Sequence, residues 1–156
     1  MPLAEVGQEP TFDKSTEMAM KLPPSKHWFR NKGASSDALQ VLMDSVEVEL
    51  PREYLELLAF SNGGEGPLPV PYYTLCLDDA ESASNPARVE LFKNLYPGWF
   101  VFGGDGGGEL YAFDLTGEQP WPVVRFDGID PEGSVEKVAE SFVIFMQLVA
   151  TTDADS

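Results

Sequence analysis

Leu50-Pro51-Arg52-Glu53-Tyr54-Leu55-Glu56-Leu57-Leu58-Ala59-Phe60-Ser61-Asn62-Gly63-Gly64 is the most legible stretch of this chain. Pro51 suits the first helical position, where its missing N–H leaves no bond unmade. Tyr54, Leu55, Leu57 and Leu58 recur at the spacing of a buried helix side. Asn62, Gly63 and Gly64 then end the helix with residues that tolerate positive φ. The stretch predicts a short helix with an unambiguous stop.

Working upstream, Ser35-Ser36-Asp37 supplies an N-cap and an acidic first turn, and Leu39, Leu42, Met43 and Val46 follow at helical spacing. Residues 1–34 read as an N-terminal arm. Its Phe12–Leu22 allows a short helix that Pro23-Pro24 stops, and Trp28 and Phe29 point to partial docking on the body. Downstream, Val70 and Tyr72–Leu77 are strand-like, but Pro69 and Pro71 confine that segment to an edge strand or extended loop. Asp78-Asp79 can cap one helical turn, and Pro86–Leu95 reads as a short helix carrying Val89, Leu91, Phe92 and Leu95. Trp99–Phe102 is a central strand by composition, Gly103–Gly108 a turn, and Leu110–Leu115 and Pro122–Phe126 two further strands joined by Thr116–Trp121. From Ser134 a helical period is expected through Val135, Val138, Phe142, Phe145, Met146 and Val149, closing one face of the sheet. The expectation is one α+β domain over residues 35–150, followed by an acidic tail at 151–156.

The composition agrees with one globular domain: 156 residues, 43% apolar and 12% aromatic. Ten Lys and Arg stand against 26 Asp and Glu, a net charge of −16. Such a field repels phosphate backbones and anionic membranes, which argues against direct nucleic-acid or membrane binding. It attracts basic surfaces, although simple solubility accounts for the same charge. Cys76 is the only cysteine, so neither an intrachain disulfide nor a thiolate zinc cluster is expected, and an inert buried thiol is. No leader-like pattern and no membrane-length apolar stretch occurs, so the cytoplasm is the expected compartment.

Catalytic signatures are scarce. His27 is the sole histidine, in a polar loop away from any Ser or Cys motif, and a surface role suits it better than that of a base. Gly103–Gly108 contains Asp105 and is followed by Glu109, two carboxylates that would repel a phosphate. The run leads from strand to strand, so a turn needing positive φ accounts for it better than a phosphate loop. The carboxylate groups Asp78-Asp79-Glu81, Asp105-Glu109 and Asp127-Asp130-Glu132 lack calcium-loop spacing. No enzyme activity, cofactor or metal is expected.

Three blocks carry a family resemblance. Leu50–Gly64 resembles the leading motif of the SUKH superfamily: Leu-Pro51, a helix bearing Tyr54, and the stop Asn62-Gly63-Gly64. The run from Phe102 and Gly103 through Asp105 and Gly106 to Asp114 resembles that family's strand–glycine turn–strand unit. Val138–Met146 resembles its C-terminal helix, with Ser141-Phe142 and Phe145. The superfamily groups Smi/Knr-type regulators of cell-wall assembly with bacterial toxin-immunity proteins. The resemblance implies a mixed, mostly antiparallel sheet flanked by helices, and a non-catalytic module that neutralises a basic toxin domain by binding it. A regulatory scaffold with another client is the alternative it leaves open. The residues expected to meet a partner are Asp78, Asp79, Glu81, Asp105 and Glu109, in polar segments outside the helical motifs.

Overall fold

The computed structural model describes residues 28–67 and 74–147. The expected helix at Phe12–Leu22, His27, the Pro69–Tyr72 segment, Val149 and the tail after 150 lie outside those residues. Ser35 caps the first helix, α1 (Ser36–Asp44), by accepting the Ala38 N–H at 3.0 Å, and Leu39 and Leu42 are its buried residues. The second helix, α2 (Arg52–Phe60), begins one residue later than expected. Pro51 is the cap itself, with ψ 135°, and its carbonyl accepts from Tyr54 and Leu55. Extended ψ lets the chain turn into the helix while that carbonyl closes the first turn. Gly63 and Gly64 stand at φ 92° and 109°, as expected of the stop. A Cβ on Gly64 would lie 2.6 Å from the Phe29 carbonyl, so the arm packs where only glycine fits.

The sheet has strands β1 (Gly64–Pro67), β2 (Thr74–Leu77), β3 (Trp99–Gly104), β4 (Glu109–Asp114), β5 (Val123–Asp127) and β6 (Glu136–Ala139). They lie side by side in sequence order, and every pairing is antiparallel. Two helices, α3 (Ala80–Ala83) and α4 (Pro86–Leu95), separate β2 from β3, and one turn of helix, α5 (Pro131–Ser134), separates β5 from β6. The segment expected to be an edge strand or extended loop is instead interior: β2 (Thr74–Leu77) pairs with β1 on one side and β3 on the other, and β1 is the edge, with Phe29 bridging to Glu65. Pro69 and Pro71 precede the paired residues, so neither removes a donor from this ladder. The glycine run joins β3 to β4, with Gly106 and Gly108 at φ 82° and 114°.

A further expectation is corrected. The segment after Ser134 is not helical: Glu136–Ala139 pairs with β5 as an edge strand, and helix resumes only at residues 142–147. Val135, Val138 and Phe142 suit a helical period, but pairing along β5 and burial of Ala139 outweigh that local preference. Val135 itself is left exposed.

The sheet is covered on both faces. On one, Tyr54 of α2 packs against Phe113 at 5.3 Å between ring centroids and against Phe142 at 5.9 Å, with Phe102 and Phe145 beside them. Phe142 and Phe145 are buried, as expected. The register shift between Val101 and Gly103 makes Phe102 the additional residue of a bulge, and its ring stacks on Phe113 at 4.7 Å. On the other face Tyr96, at the end of α4, and Trp99 close over Phe126 at 4.9 and 4.6 Å.

Candidate functional site

β5 reads Val123-Val124-Arg125-Phe126, with a guanidinium inside an apolar strand. Register places Arg125 opposite Tyr111 on one side and Glu136 on the other. Its nitrogens lie 3.6 Å from Asp105, 3.5 Å from Glu109 and 3.4 Å from Glu136. One cation among three carboxylates leaves this end of the sheet negative, and with only 15% of the Arg125 side chain exposed the pairing is shielded from water. Asp105 is also held locally, its Oδ1 accepting the N–H groups of Gly107 at 2.8 Å and Glu109 at 3.1 Å.

A second acidic turn lies against the first. The Gly128 N–H donates to the Gly108 carbonyl at 3.1 Å, and Glu109 pairs in register with Asp127. Asp127 Oδ1 accepts the Ile129 N–H at 2.9 Å, and the Ser134 hydroxyl donates to the Asp130 carbonyl at 2.6 Å. Asp127, Asp130 and Glu132 make no ion pair among the described residues.

The structure therefore brings Asp105 and Glu109 together and holds Asp78, Asp79 and Glu81 in a separate set at the start of α3. Asp78 pairs with Arg88, while burial pushes its carboxyl above the usual range and the guanidinium opposes that shift. Glu81 accepts from Asn62 Nδ2 at 2.8 Å. Asp79 occupies the cap position of α3 without a side-chain capping bond. Sequence reasoning missed Arg125, Glu136 and Ile129. The legible signal was the arginine set within an apolar strand.

Several of the motif residues make contacts within the fold. Asn62 Oδ1 accepts the Ala80 N–H, Asp114 Oδ1 accepts the Thr116 N–H at 3.0 Å, and Ser141 Oγ accepts the Ile144 N–H at 3.2 Å. A Cβ on Gly103 would fall 2.6 Å from the Cys76 carbonyl, so β2 and β3 need glycine there to approach. Cys76 itself is partly exposed, and burial together with Glu65 pushes its thiol up, away from thiolate reactivity. Among the described residues, no group of three His, Cys, Asp or Glu is placed to hold a metal ion, and no helix is long and apolar enough to cross a membrane.

Two of the concavities among the described residues lie beside the helices. A cavity of about 190 Å³ lies between α4 and β3, lined mainly by Val46, Val89, Phe92 and Trp99. A wider groove of about 720 Å³ runs between Pro51, Trp121 and Phe142, with Glu49 and Glu53 on its wall.

No curated protein matches the chain. The family model described as SMI1 / KNR4 family (SUKH-1) matches residues 33–148. That span takes in α1, the helix of the leading motif, all six described strands and the described part of the final helix. With its three motif blocks serving the fold in sequence order, the chain belongs to the SMI1/KNR4 family (SUKH-1).

Proposed function

We propose that this protein is a non-catalytic immunity-type module that binds and neutralises a basic toxin domain, of the kind that acts on nucleic acid. The observation carrying the reading is the disposition of charge. Arg52, Arg88, Arg125 and Lys137 are engaged in ion pairs within the fold, so the −16 excess is left to act outward. A domain that grips nucleic acid presents a basic face, and an acidic surface can occupy it. Asp105 and Glu109 beside Asp127, Asp130 and Glu132 form the leading contact region, with Asp78, Asp79 and Glu81 adding to the field.

The test is co-expression with the product of any toxin-like gene that neighbours this one, together with binding kinetics at several salt concentrations. Cells survive only when this protein is present, and the association rate falls steeply with salt while dissociation changes less. Equal killing with and without it, and no complex at low salt, would replace this reading with a regulatory scaffold of the same fold.

A further inference from the structure

The acidic end of the sheet carries an apolar feature that charge alone does not require. Ile129 is 95% exposed at the tip of the turn between β5 and α5. Its backbone is held by the Asp127 carboxylate, and Asp127 and Asp130 bridge across the turn. The Tyr96 hydroxyl donates to the Gly128 carbonyl at 2.9 Å, tying this tip to the end of α4. There Leu91 and Leu95, one helical turn apart, are 52% and 49% exposed. An isoleucine standing free in water keeps none of the stabilisation that burying it would bring. Held on an ordered turn, it loses little freedom on docking.

We propose that Ile129, backed by Leu95, is the apolar anchor of the partner interface and enters a pocket on a basic protein surface. This deepens the reading above and rests on it. The occupant follows from the neighbours: Asp127, Asp130 and Glu132 flank the isoleucine without ion pairs among the described residues, so a surface that receives it must bring cations. A second copy of this chain would set like charges together at −16 per protomer. Central apolar anchors ringed by polar contacts carry most of the energy of such interfaces, and the ring governs encounter.

The probe is a basic toxin domain that this protein neutralises in co-expression, inactivated and immobilised, with wild type, Ile129→Ser, Ile129→Leu and Leu95→Ser in solution. Ile129→Ser should weaken affinity by about tenfold or more, through faster dissociation and with association at low salt nearly unchanged. Ile129→Leu should retain most of the affinity, and Leu95→Ser should lose less than Ile129→Ser. Circular dichroism and melting temperature should not move, because the substituted side chains lie at the surface. Equal affinity of wild type and Ile129→Ser would overturn the anchor while leaving the toxin-binding reading intact. Failure of the wild type to bind would remove both. A wild-type dimer that Ile129→Ser converts to monomer would assign the anchor to a second copy and overturn the proposal.

Discussion

Asn62 Oδ1 accepts the Ala80 backbone N–H at 2.7 Å, so a residue two positions past the end of α2 caps the beginning of α3, eighteen positions later. Its Nδ2 meanwhile donates to Glu81, and its own N–H donates to the Lys32 carbonyl. Asn62→Ala should therefore cost about 1–2 kcal/mol in urea unfolding, the range for a lost N-cap. Asn62→Asp keeps the acceptor but faces Glu81 with a like charge, and should recover only part of the loss. An Asn62→Ala midpoint equal to wild type would show that α3 does not depend on this cap.

The core over the sheet makes a larger claim. Phe142 touches Tyr54, Phe102, Phe113 and Phe145, with ring centroids 5.5 to 6.0 Å apart. Phe142→Ala should cost about 3–5 kcal/mol. Its neighbour Val143 is 43% exposed, and Val143→Ala should stay within about 0.5 kcal/mol of wild type. Similar losses at the two positions would mean that the final helix faces the other way.

Arg125 is the cation that Asp105, Glu109 and Glu136 share. Arg125→Met keeps most of the apolar stem and leaves three carboxylates facing one another. The expected loss is about 1–3 kcal/mol at low salt, shrinking as salt screens the repulsion. Guanidinium would mask that trend, so urea melts at two or more salt concentrations are the measurement.

The acid response should carry the signature of Asp78. Burial raises its carboxyl above the ordinary value, against the pull of Arg88, so between the unfolded and folded values the native state binds more protons than the unfolded chain. Its contribution is complete below the ordinary carboxylate value and is lost as pH rises through the folded one. Asp78→Asn removes this titration. The unfolding free energy of wild type minus variant should accordingly fall as pH is raised from about 4. A difference that grows over that interval would show the Arg88 pairing to outweigh burial.

Trp28 tests how far the folding unit reaches. It is buried, its indole N–H donates to the Ser61 hydroxyl at 3.2 Å, and that hydroxyl also accepts from the Asn31 N–H and donates to the Gly63 carbonyl. Trp28→Ala should cost about 3–5 kcal/mol, although the family match begins only at residue 33. A thermal melt unchanged by this substitution would confine the cooperative unit to the family match.

What could be read in advance was local. The α2 stop and the glycine turn each follow from φ preferences, which a few adjacent residues determine, whereas the interior place of β2 depends on partners that those residues do not name. The strand at Glu136–Ala139 was not legible, because its period is ambiguous and its partner is β5. The candidate site was half legible for the same reason. Asp105 and Glu109 announce themselves by charge, but Arg125 joins them only through the β4–β5 register, and the exposure of Ile129 depends on how its turn is braced.

Because every strand lies beside its sequence neighbours, no segment must thread past another for the sheet to form. The strands of a chain leaving the ribosome can pair in the order in which they emerge, a route of short-range steps that favours rapid folding. The aromatic face is a different matter. Tyr54, Phe102 and Phe113 stay without their cover until residues 142–147 bring in Phe142 and Phe145. Synthesis that halts before that helix leaves a paired sheet with a wet, adhesive side, prone to aggregation and proteolysis. The turns at residues 142–147 thus decide whether an already paired sheet persists in the cell.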